Sequence, residues 1–400
     1  MKICFLAPTM GECGGVQRVV AILANELSKH HEITILSMNN PENVSYYELD
    51  SRIELLSYNE FTHSKKRVIS RGIRLLFKNK KKRLPCGLSQ YLHYPSYLLK
   101  KIECTLKEGN YDCIIGVTIY CTVILGLLKD KFLHTKMIGW HHNSFHIYFQ
   151  TPGRGYYSLQ KLSKKALAKL DVLVTLTRHD AEQYEIWMEL PCKYIYNPIS
   201  FRCKKKADMM KKALLFVSRL EIEQKGMDYL VDVAEELFLK RGHSDWKLVI
   251  VGGGSGYETV KQWIKEKHLE ENVDIVGEQK NVIDYYMNSS VFLSTSRWEG
   301  FGVVVTEAME CGLPVVSFKT DGPSEIITDQ KDGYLIENYD LKKYADAVEV
   351  LMTDADLRKR MSRNAQERAK DFYTDRIAEE WEKLIENEVY CNTGSTAQKK

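Results

Sequence analysis

Hydrophobic positions along the chain follow two alternating patterns. Short unbroken apolar runs, such as KICFLAP from Lys2 and EITILS from Glu32, are typical of strands buried on both faces of a sheet. Between these runs, apolar residues recur at helical spacing, at positions Val16, Val19, Val20, Leu23, Ala24 and Leu27. This alternation of strand and amphipathic helix predicts a parallel sheet covered by helices.

The same alternation returns in the second half of the chain. Apolar runs ALLFVSRL from Ala213 and KLVIVGGG from Lys247 predict two strands, with a loop EIEQKG and a helix between them. The apolar stripe of that helix is Met227, Leu230, Val231, Ala234 and Leu237. Because 400 residues exceed one ordinary core, we predict an α/β protein with two Rossmann-like, doubly wound domains.

The domain boundaries follow from breaks in this pattern. A proline and a basic run in YIYNPISFRCKKKAD predict a junction, which gives domains over residues 1–198 and 199–372. A helix over about 373–390 is expected to pack back on the first domain. The tail 391–400 is predicted to be disordered.

Composition excludes several classes of protein. The content of 44% hydrophobic and 28% charged residues is that of a globular protein, and a net charge of +4 gives no reason to expect nucleic acid. Ten cysteines without a CxxC pair predict neither a zinc site nor a disulfide framework, and they favour a cytosolic protein. The first apolar run is too short for a signal peptide. The longest uncharged run, Ile114–Leu128, is shorter than the roughly 20 residues that span a bilayer and predicts a buried strand, turn and helix.

Two loops that follow predicted strands carry candidate anion-binding groups. In GECGGVQ, Gly14 and Gly15 precede a helix, and they form either a plain tight turn or a site for an anion or sugar. In SRLEIEQKG, Arg219 and Lys225 are either a surface cation pair or, as we prefer, ligands of a diphosphate. Since ligands bind beyond the carboxyl ends of parallel strands, we expect the active site in a cleft between the two domains.

A third loop lies in RWEGFGVVVTEAMECGLPVV, which begins at Arg297. Its turn leads into a helix whose first backbone N–H groups, around Gly302–Val304, are free to hold phosphate oxygens. Glu307 lies one turn into that helix and either compensates the helix dipole or binds vicinal hydroxyls such as those of a ribose. Glu299, beside Trp298 and Phe301, which are expected to be exposed, stands where a sugar would bind.

The remaining candidates are the histidines of WHHNSF. A histidine at the end of a strand is more often structural than catalytic, and His141 and His142 both fit that description. No Asp-x-Asp pair stands at a predicted strand end, so the sequence gives no reason to require a divalent metal.

Several of these motifs together resemble those of a known protein family. The segment EGFGVVVTEAMECGLPVV closely resembles the E-x7-E signature of the retaining glycosyltransferases of family 4, of the bacterial cell-surface polysaccharide type, which have the GT-B fold. Other segments agree in order, namely the Gly14–Gly15 loop, SRL…KG, the glycines after KLVIVG, and DGPSEII…DGYLI. About residues 45–110 match nothing recognisable, as expected for an acceptor-binding region.

The resemblance implies a role for each candidate. The second domain would hold a nucleotide diphosphate sugar, and the first domain would bind the acceptor. Arg219 and Lys225 would neutralise the diphosphate, Glu299 would bind the donor sugar, and His141, or else His142, would touch that sugar. The other donor-binding residues would be Gly14, Gly15, Gly277, Glu278, Phe301, Gly302, Val303 and Glu307. Asn143 and Ser144 would line the acceptor side, and no metal would be required.

The function implied is transfer of a hexose, from a UDP-sugar by preference, to an acceptor hydroxyl with retention of configuration. A lipid-linked saccharide or a cell-surface polymer precursor is the expected acceptor. A nucleotide-sugar hydrolase or epimerase on the same fold and a non-catalytic homologue that acts in a complex are the alternatives. No dinucleotide fingerprint supports a dehydrogenase.

One basic segment has no role in this scheme. From Lys65 to Arg83, ten of nineteen residues are Lys or Arg and none is acidic. Such a run is either a solvated face or, with its interleaved apolar residues, a surface for anionic lipid. We predict that it holds a cytoplasmic enzyme peripherally at the inner face of the cell membrane.

Overall fold

The chain divides into two compact units in a computed structural model that describes residues 1–58, 90, 92–152, 154–189 and 192–390. Unit 1 comprises Met1–Pro198 with Thr374–Lys400, and unit 2 comprises Ile199–Tyr373. The basic segment Lys65–Arg83 and the tail 391–400, for which membrane binding and disorder are predicted, lie outside the described residues.

Unit 1 contains a seven-stranded sheet in which every pair of neighbouring strands is parallel. Its strands are β1 Lys2–Ala7, β2 Glu32–Ser37, β3 Glu54–Ser57, β4 Cys113–Val117, β5 Lys136–Trp140, β6 Val172–Thr175 and β7 Lys193–Tyr194. The spatial order is β3-β2-β1-β4-β5-β6-β7, so the direction of strand addition reverses between β1 and β4.

Unit 2 repeats this arrangement with six parallel strands. They are β8 Ala213–Val217, β9 Lys247–Val251, β10 Val273–Gly277, β11 Val291–Ser294, β12 Val315–Phe318 and β13 Gly333–Ile336. Their order is β10-β9-β8-β11-β12-β13, with the reversal between β8 and β11. The predicted fold class, two Rossmann-like doubly wound domains, is therefore confirmed.

Helices connect these strands and cover the sheets. In unit 1 they are α1 Gly15–Leu27, α2 Ser96–Gly109, α3 Thr118–Leu128, α4 Gln160–Leu167 and α5 Arg178–Met188. Unit 2 has α6 Ile222–Lys225, α7 Met227–Glu235, α8 Tyr257–Glu266, α9 Ile283–Met287, α10 Val303–Glu310, α11 Asp321–Ile326, α12 Leu341–Thr353 and α13 Ala355–Ala369. The last helix, α14 Thr374–Tyr390, belongs to unit 1.

The apolar stripes predicted from the sequence form the interior of each unit. The α7 stripe is buried throughout, and the α1 stripe is buried apart from Val16, which is partly exposed. Helix α14 packs on α1, and its Trp381 ring lies 5.0 Å from the Trp140 ring of β5. Both indoles are fully buried.

Two local predictions differ from the structure. The segment EIEQKG contains the helical turn α6 rather than only a loop. No separate turn links β4 to α3, because Thr118 itself redirects the chain with φ of 69°, a rare value for a β-branched residue.

The cysteines of the described residues form no disulfide bonds. The eight cysteines among the described residues carry free thiols, although the sulfur atoms of Cys203 and Cys311 lie 2.9 Å apart. Within the described part of the chain, no helix combines the length and apolar character needed to cross a bilayer.

Candidate active site

The predicted site loops follow strands that flank the reversal of strand order in each sheet. Gly14 and Gly15 follow β1 in unit 1, while Arg219 follows β8 and Glu299 follows β11 in unit 2. Open parallel sheets leave a crevice at this position, where ligands bind. These candidate residues therefore lie at the reversal of strand order in each sheet, where the topology favours ligand binding.

The glycine loop of unit 1 leaves room at the start of a long helix. Gly14 precedes α1 without a side-chain cap, and its N–H donates to the Tyr47 hydroxyl at 3.2 Å. A Cβ on Gly15 would meet no heavy atom within 4 Å, and its φ is not in the left-handed region. Neither backbone conformation nor packing requires a glycine at position 15. The loop is therefore open to close approach by an anion.

In unit 2 the structure brings two predicted site residues into direct contact. The Lys225 ammonium forms an ion pair with the Glu299 carboxylate, and these side chains are only 12% and 17% exposed. Arg219, in contrast, is exposed and forms no ion pair among the described residues. Of the two predicted diphosphate ligands, Lys225 is therefore paired with a carboxylate, whereas Arg219 is exposed and forms no ion pair in the described part of the chain.

Arg297, to which the sequence assigned no role, fixes the segment that carries Lys225. Its guanidinium forms a two-pronged ion pair with Asp228, at 2.9 and 2.5 Å, and donates to the carbonyls of Ile222 and Glu223. It also lies 3.9 Å from the centre of the Tyr229 ring. Its partners are about 70 residues away in sequence, so no local signal could have revealed them.

Glycines allow the backbone around this ion pair to pack closely. Gly226 has φ of 60°, and a Cβ there would come within 2.1 Å of the Thr295 carbonyl oxygen. Thr295 in turn donates its hydroxyl to the Lys225 carbonyl at 2.9 Å. Any side chain at Gly226 would therefore push the Lys225 turn away from the end of β11.

The glycine-rich loop after β9 supports the Arg219 loop. Leu220 N donates to the Gly253 carbonyl at 2.7 Å, and a Cβ on Gly252 would lie 1.7 Å from the Ser218 carbonyl oxygen. Gly252 N donates to Gly277 O at 2.8 Å, so the end of β10 is tied to the same loop. Gly277, with φ of 73°, and exposed Glu278 consequently lie beside the Arg219 loop.

The turn before α10 is held from behind by α11. Gly302 caps α10 with φ of 97° and no side-chain cap, which leaves the N–H groups of Val303 and Val304 without intrahelical acceptors, whereas Val305 N donates to the Gly302 carbonyl at 2.8 Å. Gly322 N donates to the Glu299 carbonyl at 3.1 Å, and a Cβ on Gly322 would lie 2.0 Å from Phe301 O. The DGPSEII segment thus supports the turn that carries Glu299.

One expectation about this turn is wrong. Phe301 was expected to be exposed, but its side chain is only 2% exposed and packs edge-on against Phe372 at 5.7 Å. The aromatic ring is needed in the core, so only the backbone of Phe301 is available near the helix N-terminus.

Glu307 is less accessible than the sequence suggested. Its side chain has no exposed surface, and it accepts a hydrogen bond from the Tyr286 hydroxyl at 3.0 Å. Tyr286 is itself fully buried and was not predicted as a site residue. A ribose could reach this carboxylate only if neighbouring side chains moved.

In unit 1, both histidines after β5 are neutral and closely packed. His141 is 1% exposed, and its Nδ1 lies 2.7 Å from the Tyr184 hydroxyl. His142 packs on Trp140, with ring centres 4.3 Å apart. Burial lowers the pKa of each imidazole to about 3. Neither Nε2 has a hydrogen-bond partner in the described structure.

Residues near the histidines differ in accessibility. Asn143 is partly exposed and accepts the Ser144 backbone N–H at 2.9 Å, whereas Ser144 is 1% exposed. Backbone N–H groups of Ile119 and His142 favour the ionised Tyr148 hydroxyl, but complete burial dominates and raises its pKa.

The described residues contain no group of three or more His, Cys, Asp or Glu side chains placed to hold a metal ion.

Both halves of the chain match models of known protein families. Residues 13–201 match the model described as "Glycosyltransferase Family 4", and residues 200–368 match "Glycosyl transferases group 1". The two matches meet at residues 200–201, next to the boundary between units 1 and 2.

Similar proteins cover the chain over nearly its whole length. An uncharacterised glycosyltransferase of Haemophilus influenzae is 28% identical over 96% of this chain and 99% of its own. A Campylobacter jejuni α-1,4-N-acetyl-D-galactosaminyltransferase, named for a GalNAc-GalNAc-diNAcBac-PP-undecaprenol substrate, is 26% identical over 96% and 98%. Staphylococcus aureus TarM, solved with fondaparinux, α-GlcNAc-glycerol and UDP, shares the fold at a TM-score of 0.73 and 18% identity, over 96% and 100% of the two chains.

Proposed function

Because the chain belongs to the family 4 and group 1 glycosyltransferases and has the GT-B fold, we propose that it transfers a hexose from a UDP-sugar to an acceptor hydroxyl with retention of configuration. The observation that carries this proposal is the cluster at the strand reversal of unit 2. There the Lys225–Glu299 ion pair, the exposed Arg219 and the N-terminus of α10 come from loops that follow adjacent strands.

In the proposed reaction, unit 2 binds the donor. Arg219, Lys225 and the first N–H groups of α10 stabilise the charge that develops on the departing diphosphate. Glu299 binds hydroxyls of the donor sugar next to that diphosphate, since its carboxylate is already fixed by Lys225. Glu307 binds the ribose after local rearrangement, and the backbone at Gly277 and Glu278 meets the base.

Unit 1 contributes the other side of the reaction. Gly14 and Gly15 bring backbone N–H groups to the phosphates, and His141 contacts the donor sugar. The acceptor binds to unit 1, and a lipid-linked saccharide or cell-surface polymer precursor is the proposed class. The lipid-linked substrate named for the Campylobacter jejuni relative supports this choice. Binding of anionic lipid by Lys65–Arg83 would place the enzyme at the inner face of the membrane.

Retention and metal independence are part of the proposal. TarM, which shares the fold, was solved with UDP and α-GlcNAc-glycerol, and these ligands support a UDP-sugar donor and an α-linked product here. Arg219 and Lys225 provide the positive charge that a divalent cation would otherwise provide at the diphosphate.

A panel of nucleotide sugars tests the proposal. Bound donor in excess of its dissociation constant should stabilise the protein by a few kcal/mol, which thermal unfolding detects. With the best donor and a lipid-linked saccharide, the anomeric proton coupling of the product reports its configuration. An inverted product would contradict retention, and UDP release without any glycoside product would favour a nucleotide-sugar hydrolase. An absence of both binding and turnover across the panel would favour a non-catalytic homologue.

A further inference from the structure

His141 and Tyr184 form a buried hydrogen-bonded pair in unit 1. The His141 Nδ1 and the Tyr184 hydroxyl are 2.7 Å apart, and both side chains are almost completely buried. Among the described residues, the Tyr184 hydroxyl has no other hydrogen-bond partner, and the His141 Nε2 has none at all. The direction of this one hydrogen bond therefore determines which ring nitrogen carries the proton.

Two arrangements of protons are possible, and they differ in how many buried groups are left unmatched. If Tyr184 donates its O–H to Nδ1, the imidazole proton is on Nε2, and only this N–H is unmatched. If Nδ1–H donates to the Tyr184 oxygen instead, the Tyr184 O–H and the Nε2 lone pair are both unmatched. Since each unmatched buried polar group is costly, the first arrangement is favoured.

Ionisation of His141 or Tyr184 does not change which of the two proton arrangements is favoured. Burial lowers the pKa of His141 to about 3 and raises that of Tyr184, so both groups are neutral near pH 7. The ring is also held in place, because it packs edge-on against Tyr184 and Tyr148 at 5.1 and 5.7 Å. The His141 backbone N–H is fixed to the Val174 carbonyl at 2.9 Å.

We propose that Tyr184 is a positioning residue that holds His141 in the Nε2–H tautomer, so that the buried Nε2–H of His141 becomes, after local rearrangement, a hydrogen-bond donor to an oxygen of the bound sugar nucleotide. In this form His141 has no free lone pair directed at the ligand and cannot accept the proton of the acceptor hydroxyl. The assignment of the tautomer stands on the structure of unit 1 alone. The identity of the ligand oxygen rests on the proposed function.

Nitrogen NMR of the full-length protein tests the tautomer without any substrate. In histidine-labelled protein, couplings between ring nitrogens and carbon-bound protons distinguish the protonated from the unprotonated nitrogen, and the His141→Ala variant identifies the signals. We expect His141 to show a protonated Nε2 and an unprotonated, hydrogen-bonded Nδ1 at pH 7.5. A protonated Nδ1 would overturn the proposal, whatever reaction the protein catalyses.

A double-mutant cycle tests whether Tyr184 acts through His141. We expect Tyr184→Phe to reduce kcat/KM for UDP-sugar turnover by about tenfold in the wild-type background, the loss of about one hydrogen bond. In the His141→Ala background the same change should have little effect. Tyr58→Phe is the matched control, because it removes a tyrosine hydroxyl of unit 1 that bonds to Thr105, at 2.6 Å, instead of His141.

The outcomes separate the two proposals. An equal loss from Tyr184→Phe in both backgrounds, or an equal loss from Tyr58→Phe, would show a general structural effect and overturn the positioning role. Absence of turnover with every nucleotide sugar would contradict the proposed function, while the NMR experiment would still decide the tautomer. Thermal unfolding of each variant shows whether it remains folded.

Discussion

At the residue scale, the proposed activity depends most directly on the Lys225–Glu299 ion pair. The two side chains are largely buried, so loss of either leaves a charge without its partner and disturbs the charges that face the diphosphate. We expect Lys225→Ala and Glu299→Gln each to reduce turnover by about 10² or more, which corresponds to about 3 kcal/mol of barrier. Steady-state release of UDP from the preferred donor measures this effect.

A surface ion pair of the same unit provides the control. Lys240 lies 3.4 Å from Glu236 but is 59% exposed, so Lys240→Ala should leave turnover within about twofold of wild type. Near-normal turnover in both Lys225→Ala and Glu299→Gln would refute the assignment of these residues to the active site.

The buried His141 predicts how acid affects stability. Its folded pKa of about 3 lies below the ordinary value of 6.5, so protonation favours the unfolded chain. The neutral ring therefore contributes stability above pH 6.5, and this is lost as the pH falls from 6.5 towards 3. At pH 5 the loss is about 2 kcal/mol. Urea unfolding at pH 7.5 and pH 5 should show a smaller difference for His141→Gln, and equal differences in both proteins would contradict this.

Individual residues show what sequence reasoning can and cannot reach. Lys225 and Glu299 are candidates from the sequence because short motifs place them after strands, where the topology directs ligands, and their active-site role stays a prediction. Arg297 and Tyr184 were missed because their partners lie far away in sequence, at Asp228 and His141. The burial of Phe301 was also missed, since the aromatic contact that buries it is formed only in the folded unit.

At the scale of elements, the junction between α6 and α7 is under a steric constraint that mutation can test. Gly226 combines φ of 60° with a Cβ position 2.1 Å from Thr295 O, and Lys225 immediately precedes it. We expect Gly226→Ala to lower the free energy of unfolding by about 2 kcal/mol or more and to reduce turnover, because Lys225 is displaced. Denaturant unfolding and UDP release measure the two effects.

Gly242 provides a control that separates backbone strain from the contact with Thr295 as the cause of the lost stability and activity. It has φ of 78° in the same unit, but a Cβ there would meet nothing within 4 Å. Gly242→Ala should therefore cost only the backbone strain, about 1 kcal/mol, and leave turnover unchanged. If both alanine variants lost the same stability and activity, the contact with Thr295 would not be the cause.

Several strands and helices were predictable because their apolar residues form regular patterns. The strands β1, β2, β8 and β9 were predicted from short unbroken apolar runs, and α7 was predicted from apolar residues at helical spacing. The link from β4 to α3 was not, since a threonine with φ of 69° replaces the turn residues that usually mark such a change. The helical turn α6 is only four residues long, which is too short for a periodic signal.

At the scale of the whole molecule, the proposed chemistry predicts how the enzyme responds to a chelator. In the proposed mechanism Arg219 and Lys225 stabilise the departing diphosphate, and the sequence has no Asp-x-Asp pair at a strand end. We expect turnover to stay within about twofold of normal in excess EDTA, since side-chain cations replace the role of a metal. Activity that EDTA abolishes and magnesium or manganese restores would refute this proposal.

The charge distribution of the chain predicts a second property of the whole molecule. The net charge is only +4, yet Lys65–Arg83 concentrates ten basic residues with no acidic residue. Each Lys or Arg near an anionic surface contributes about 1 kcal/mol of binding, so ten such residues would be enough for the peripheral attachment that we predict. The apolar residues between the cations would add a contribution that does not depend on salt.

We therefore predict that the protein sediments with vesicles that contain anionic lipid, that it does not sediment with neutral vesicles, and that high salt releases it because it screens the attraction. A variant with five substitutions to glutamine should bind weakly while it keeps donor turnover, and the positions are Lys78, Lys80, Lys81, Lys82 and Arg83. A control with the same loss of charge uses five exposed lysines of unit 2, namely Lys204, Lys205, Lys206, Lys211 and Lys212. Equal binding to neutral and anionic vesicles, equal loss in both variants, or no binding to either lipid would return the segment to a solvated basic face.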